Sequence, residues 1–296
     1  MTIGIFVNEL KDIGLTIANK IAGAVASRGG KAVIADGNAP ASDKLIGCDV
    51  IICVGGDGTL IKAARETLGF GAPLLGVNMG SLGYLTEVEI SQIDAILDRV
   101  FAKDYRVEER MMLKITKSGA ESADGVREET VLNELYIGRG DSPHVVRLKL
   151  FIGGSFFDVY SGDGILISTP TGSTAYALSA GGPVIDPELS VISIVPVCPH
   201  VIFSRPLLVS PEKEIKIIPA YADGAFKASI AADGFNSPDL LEGETISVQK
   251  SEFVTKILRF NADNFYVVLK NKLFQTSSKF GPGTGLGRAP ANGEFS

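Results

Sequence analysis

Hydrophobic and polar positions divide the chain into two regimes. Residues 2–8 (TIGIFVN) are a short apolar run and predict a buried strand. Ile17, Ile21 and Val25 then fall at helical spacing, and Gly29-Gly30 ends that helix. Residues 31–35 (KAVIA) predict a second strand and residues 36–47 a loop. Residues 49–54 (DVIICV) are apolar at consecutive positions, so this third strand is expected to be covered on both faces, as in a parallel sheet. A glycine turn follows, then a helical stretch over 59–68 and a fourth strand over 73–77 (PLLGV). A second glycine-rich loop over 78–83 leads to a helix over 91–101. This alternation predicts an α/β, doubly wound N-terminal domain over residues 1–104.

From Tyr105 onward the pattern changes to short alternating runs. Strands are expected over 106–117, 128–138, 145–152, 155–160, 163–168, 206–210 and 214–219, then over 226–232, 245–250, 252–260 and 264–270. Gly153-Gly154 reads as a two-residue hairpin turn, and one helical insertion starts near Ser173. Together these predict an all-β C-terminal domain over residues 105–275. Residues 276–296 have almost no apolar content and read as a disordered tail.

Composition narrows the function class. The 296 residues are 45% hydrophobic and 21% charged, an ordinary soluble globular balance. A net charge of −6 without any basic run argues against a nucleic-acid partner. The longest apolar stretch, over 191–203, is interrupted by Ser193, Pro196, Pro199 and His200, so no membrane span is expected. Cys48, Cys53 and Cys198 do not make a disulfide framework, and the N-terminus lacks a signal pattern. A cytoplasmic protein with reduced thiols is the expectation. Cys198-Pro199-His200 could suggest zinc, but buried thiols on strands are the better reading, and no protein metal site is expected. The 34 glycines exceed the roughly 7% of average usage, which points either to many tight turns or to a backbone that approaches a ligand closely.

One glycine cluster carries chemistry. Gly55-Gly56-Asp57-Gly58-Thr59 lies between the third strand and a helix, and a helix N-terminus entered through glycines is an anion site. It is neither a Walker loop nor a G-x-G-x-x-G fingerprint. Asp57 is the odd member, because a carboxylate beside phosphate is repelled unless it accepts a proton or holds a metal. The alternative is an Asp that caps the helix beginning at Thr59.

GGDGT after an apolar strand resembles the kinase superfamily that includes NAD kinases, diacylglycerol and sphingosine kinases and phosphofructokinases. Thr169-Pro170-Thr171-Gly172-Ser173-Thr174-Ala175-Tyr176 is similar to the NAD kinase signature within that group. Asn133-Glu134, the run over 76–88 (GVNMGSLGYLTEV), Gly181-Gly182-Pro183-Val184 and Cys198-Pro199-His200 match in order. The resemblance, to the bacterial type, implies an NAD kinase/diacylglycerol kinase-like fold and transfer of the γ-phosphoryl group of ATP to the 2′-hydroxyl of the adenosine ribose of NAD. Some members also accept inorganic polyphosphate. Mg2+ would come with the ATP, and a homo-oligomer, dimer or tetramer, is implied.

Carried over by motif, the resemblance makes Asp57 the proton acceptor, with Gly55, Gly56, Gly58 and Thr59 around phosphate. Lys62, one helical turn on, either contacts phosphate or is a solvent-exposed helix lysine. Asn133 and Glu134 would pair with adenine and with ribose hydroxyls, or form a polar pair at a strand bend. Asp163 would lie near the nicotinamide end, or be a turn residue. The adenine pocket falls on residues 171–179. There Thr171, Ser173 and Thr174 offer hydroxyls and Tyr176 a ring face, alongside Ala175, Ala177, Leu178 and Ser179; alternatively Tyr176 is core. His144 follows Ser142-Pro143, where the family often has a polar ligand-facing residue and a surface turn is the other reading. His200 reads as structural. Asp233-Gly234 resembles a later family pair, although Ala231-Ala232 stand where bulkier residues are usual, and Asn236 would supply the amide found there. Two other functions share parts of the pattern: a lipid or sphingoid-base kinase with the same GGDGT loop, and a non-catalytic NAD-binding regulator on the same fold.

Overall fold

The first hundred residues fold as β1 (Thr2–Val7), α1 (Thr16–Ala26), β2 (Lys31–Asp36), α2 (Ser42–Leu45), β3 (Val50–Gly55), α3 (Asp57–Glu66), β4 (Leu74–Asn78), β5 (Val88–Glu89) and α4 (Ile93–Ala102). The computed structural model describes residues 1–7, 12, 15–36, 42–80, 83–119, 126–200, 204–220, 227–261 and 264–279. Strands β2, β1, β3 and β4 lie side by side in parallel. Strand period two sorts their side chains onto two faces. Ile3, Ile5, Val7, Val50, Ile52 and Val54 pack with Ala18, Ile21 and Val25 of α1 and Leu97 and Val100 of α4. Phe6, Ile51 and Cys53 pack on the other face with Leu45 of α2 and Leu60, Ala63 and Ala64 of α3. Helices therefore cover both faces, which is why β3 is buried at every position.

The remainder is β-rich: β6 (Arg106–Gly119), β7 (Arg127–Val131), β8 (Glu134–Gly138), β9 (Val146–Ile152), β10 (Ser155–Gly162) and β11 (Gly164–Ser168). A 3-10 turn (Thr171–Thr174) and α5 (Tyr176–Ser179) come next. Then follow β12 (Ile192–Val197), β13 (Leu207–Val209), β14 (Ile215–Pro219), β15 (Ala228–Ala232), β16 (Phe235–Leu240) and β17 (Glu244–Arg259). A six-stranded antiparallel sheet runs β13-β12-β11-β8-β15-β16. Among the described residues the other sheet has eleven strands, in the order β10-β9-β14-β17-β4-β3-β1-β2, with β5 on β4, β6 on β17 and β7 on β6. Strand β17 joins the two regimes: Ile257 pairs in parallel with Leu74 of β4, while residues from Glu244 on pair antiparallel with β6 and β14. The fold thus has a mixed α/β sheet and an antiparallel β-sheet, as the pattern predicts, and within the mixed sheet β17 links the parallel and antiparallel parts.

Local chemistry explains the turns. Gly153 and Gly154 have φ of 56° and 80° between paired Ile152 and Ser155, the two left-handed positions of a tight hairpin. Asp233 (φ 51°) and Gly234 (φ 78°) do the same between Ala232 and Phe235.

Some expectations need correction. The loop over 36–47 contains α2. The runs over 245–250 and 252–260 are one strand, β17, irregular between Lys250 and Val254. β12 and β16 arise where no strand is expected, the first in the proline-interrupted stretch over 191–203. Residues 264–270 are not a strand but the start of α6 (Asn264–Lys279), which belongs to a second unit beginning at Asn261. Tyr266, Val267 and Val268 favour a strand locally, yet burial recurs at Phe265, Val268, Leu269 and Lys272, a helical stripe, in a run without glycine or proline. Thr276 therefore lies in helix rather than tail, and residues 280–296 fall outside the described residues, as do 81 and 82 of the second glycine loop.

Candidate active site

Helix α3 starts directly behind β3. Gly56 is its N-cap, in extended conformation and with no side-chain cap, so Asp57 is not the capping residue. Instead the Asp57 carboxylate turns away from its own helix. Oδ2 accepts the backbone N–H of Tyr84 at 2.8 Å, and Oδ1 accepts those of Leu85 at 3.0 Å and Thr86 at 3.2 Å. Gly83 makes room for this: a Cβ there would overlap Asp57 Oδ1 and lie 2.6 Å from Thr86 Oγ1. A Cβ on Gly55 would collide with the buried Thr59 side chain. Gly58 has open space on its side-chain side. Lys62 is part-exposed on α3 and pairs with Glu66 at 3.6 Å.

Asn133 lies in the bend between β7 and β8 and Glu134 opens β8; both are held by Asp233 from the β15–β16 turn. One Asp233 oxygen accepts from Leu132 N–H at 2.8 Å; the other accepts from Asn133 at 2.7 Å and Glu134 at 3.2 Å. The Asp233 N–H in turn donates to the Glu134 carbonyl at 2.9 Å. Asn133 Oδ1 and Glu134 Oε2 are buried polar atoms without a hydrogen-bond partner. Burial, and secondarily the neighbouring Asp233 charge, pushes the Glu134 carboxyl up to about 8. Burial also pushes Asp233 up, opposed by its three N–H donors. Asn236 is exposed on β16, opposite Ala231.

The loop after β11 is sewn onto the same bend. Thr169 Oγ1 donates to the Leu132 carbonyl at 2.6 Å and accepts from Gly172 N–H at 3.1 Å; Thr169 N–H donates to the Asn133 carbonyl at 2.9 Å. Ser168 Oγ approaches the Asn133 carbonyl at 3.3 Å, and a Cβ on Gly172 would strike that carbonyl. Thr174 uses its hydroxyl within the loop, and Ser173 Oγ bonds within it and also accepts from Ile185 N–H at 3.0 Å. Ser173 Oγ donates to the Pro170 carbonyl at 2.6 Å, and Thr174 Oγ1 to the Thr171 carbonyl at 3.3 Å. Tyr176 is 43% exposed, not a core residue, and its ring lies 5.6 Å from that of Tyr136. Ala177 is buried, Ala175 and Leu178 are part-buried, and Ser179 is exposed. The Tyr136 hydroxyl donates to the Asp163 carbonyl at 3.2 Å, and the Asp163 carboxylate pairs with Arg139 at 2.8 Å. His144 is exposed, its N–H on Ser142 Oγ at 3.1 Å, and His200 N–H donates to the Ser161 carbonyl. Cys198 is exposed whereas Cys48 and Cys53 are buried.

Sequence reasoning misses three residues, all about 90% buried or more: Arg110 and Arg259, which touch these loops, and Glu108, which pairs with both. Arg110 donates to Thr171 Oγ1 at 3.2 Å, and Arg259 donates to the carbonyls of Leu85 at 3.0 Å and Tyr84 at 3.4 Å. The available signal is Glu-x-Arg at strand spacing, which puts two opposite charges on one face of β6.

With the geometry in view, comparison with known proteins is specific. Models of the ATP-NAD kinase N-terminal and C-terminal domains match residues 43–105 and 132–260. An NAD kinase of Ruminiclostridium cellulolyticum is 36% identical over 284 residues, covering 92% of this chain and 98% of that relative. An NAD kinase of Acetivibrio thermocellus is 38% identical over 286 residues, covering 93% and 97%. The crystal structure of a yeast NADH kinase complexed with NADH shares the fold, with a TM-score of 0.83 at 20% identity over 98% of this chain and 90% of that one. An NAD kinase from Archaeoglobus fulgidus in complex with ATP gives a TM-score of 0.72 at 27% identity, over 93% and 99%. These likenesses lend no support to a lipid kinase or to a non-catalytic regulator. Relatives matched along nearly their whole length, and both family domains found in order, establish that the chain belongs to the NAD kinase family.

Proposed function

We propose that in this phosphotransferase Asp57 accepts the proton of the 2′-hydroxyl of the adenosine ribose of NAD as that oxygen attacks the γ-phosphorus of ATP. The new O–P bond forms, the bond from the γ-phosphorus to ADP breaks, and NADP and ADP leave. The observation that carries this reading is the fixed carboxylate at the first residue of α3, held by three amides from a second loop. Phosphoryl transfer demands little covalent chemistry of a protein; it needs positioning, charge stabilisation and a proton acceptor. The Gly55–Gly56 turn and the N-terminus of α3 favour phosphate through exposed backbone and helix dipole. Asn133 Oδ1 and Glu134 Oε2, buried without partners, are suited to the adenosine amine and ribose hydroxyls. The Tyr136 and Tyr176 rings offer a face to a base, and Asp163 with Arg139 a polar pair toward the nicotinamide end.

Among the described residues no group of three or more His, Cys, Asp or Glu side chains could hold a metal ion. The reading takes Mg2+–ATP as the substrate, as the family resemblance implies; a metal carried by the nucleotide would neutralise charge on the phosphates. The same reading puts the enzyme in the cytoplasm, as a homo-oligomer, the state the family resemblance implies. Among the described residues no helix is long and apolar enough to cross a membrane.

The test is direct. The protein is incubated with NAD, ATP and Mg2+, and NADP is detected with an NADP-dependent dehydrogenase. Asp57→Asn is expected to lower kcat by ~10²–10⁴-fold with a smaller effect on NAD binding. A variant that keeps the full rate would refute the role of Asp57.

A further inference from the structure

Asp57 is gripped by amides that are themselves gripped from behind. The segment that supplies the N–H groups of Tyr84, Leu85 and Thr86 turns its carbonyls toward Arg259, the last residue of β17. Two guanidinium nitrogens donate to them, at 3.0 Å to Leu85 and 3.4 Å to Tyr84. The third, Nε, donates to Glu108 Oε2 at 3.1 Å, and Glu87 lies 3.8 Å from Nη1. The other Glu108 oxygen pairs with Arg110, which reaches Thr171 Oγ1 at 3.2 Å. An unbroken chain of contacts therefore runs from Asp57 through the backbone of residues 84–86 to Arg259, Glu108, Arg110 and the loop after β11.

Strand geometry builds this cluster. Glu108 and Arg110 are two apart on β6 and share a face; Ile257 of β17 pairs with Glu108, which brings Arg259 alongside. Burial opposes ionisation of Glu108, but Arg110 and Arg259 hold its carboxyl below the usual range. A buried ionic cluster adds little net stability over an apolar core of the same shape. Direction is what it can add, because a planar guanidinium fork fixes two carbonyls at once.

We propose that Arg259, oriented by Glu108, is a positioning residue for Asp57, and that Arg110 extends the same cluster to Thr171, so that the proton acceptor and the nucleotide loop are set together. This rests on the reading of Asp57 as proton acceptor. Arg259→Lys keeps the charge and loses the fork; Glu108→Gln keeps the shape and loses the charge. Both are made in the full chain, alone and combined with Asp57→Asn, and NADP formation and thermal midpoint are measured. In the parent background each is expected to lower kcat by ~10–100-fold, with KM for NAD and for ATP within about 3-fold. In the Asp57→Asn background the same change is expected to cost less than about 2-fold, because the group it positions is gone. An equal loss in both backgrounds overturns the proposal and marks the cluster as merely structural; so does an unchanged kcat, or a loss confined to KM. Should Arg259→Lys fail to fold, the Glu108→Gln cycle decides by the same criteria. If Asp57→Asn alone keeps the full rate, the reading of Asp57 falls and the proposal with it, a result visible before any cluster residue is changed.

Discussion

Replacing Asp233 tests whether one carboxylate holds the Asn133–Glu134 bend. Its two oxygens accept three consecutive backbone N–H groups at 2.7–3.2 Å. At about 1 kcal/mol net for each bond, alanine forfeits about 3 kcal/mol. The residue also sits at φ 51°, where an alanine costs about 1 kcal/mol more. Relief of carboxylate desolvation, the burial effect that pushes Asp233 up, returns about 1 kcal/mol. The expected loss for Asp233→Ala is therefore about 3 kcal/mol, or ~6–12 °C in Tm for a chain of this size. Asp233→Asn tolerates the left-handed turn and keeps one acceptor oxygen, so it should lose only about 1–2 kcal/mol. Urea unfolding at constant m measures both. Because Asn133 and Glu134 lose their common anchor, KM for NAD should rise ~10-fold in the alanine variant, equivalent to about 1.4 kcal/mol of binding. An alanine variant within about 0.5 kcal/mol of the parent, or one indistinguishable from the asparagine variant, would refute the reasoning.

Three further outcomes are expected. Glu134 titrates at about 8 in the fold and near the ordinary carboxylate value when unfolded, so the folded chain holds the extra proton between those values. Its contribution is fully present below the unfolded value and lost as pH rises through about 8; the Tm advantage of Glu134→Gln over the parent should therefore grow from pH 5 to pH 9, and a pH-independent difference would contradict it. Gly83→Ala places a methyl group against Asp57 Oδ1 and should lower kcat ~10²-fold, and an unaltered rate would show that the loop yields without moving the carboxylate. EDTA should stop NADP formation and excess Mg2+ restore it, while the Tm of the nucleotide-free protein stays the same; a fall in that Tm would reveal a resident metal.

Local pattern and long-range pairing divide what the sequence could reveal. The parallel strands β1 to β4 and the glycine loop after β3 are legible because period and turn chemistry are local, and Asp57 and the bend at Asn133–Glu134 stand out within such patterns. The role of β17 is not local. Two alternating runs look like separate strands, and only pairing with β4, β6 and β14, far away in the chain, makes them one. Glu108 and Arg110 are likewise missed because their partners outside β6, Arg259 for one and Thr171 for the other, come from elsewhere in the chain.

The two aspartates share this property, and it says how the site is assembled. In sequence, Asp57 reads as a proton acceptor or a helix cap, and Asp233 as part of an Asp-Gly pair that resembles the family's. In the fold, each sends its carboxylate to three successive amides of a remote segment, residues 84–86 for one and 132–134 for the other. Each segment borders a group proposed to act on the nucleotides, so the contacts of the two aspartates bear on where those groups stand. Helix α3 connects them. Asp57 begins it, and near its other end Arg65 donates to the Ala232 carbonyl at 3.0 Å, one residue before Asp233. Arg65 also lies 4.7 Å over the Phe235 ring, which ties the helix to both sides of that turn, and 3.5 Å from Glu129 of β7. A shift of α3 along its axis would therefore move Asp57 and the anchor of the Asn133–Glu134 bend together. The spacing between the two loops is a property of one ten-residue helix as well as of the buried cluster centred on Glu108.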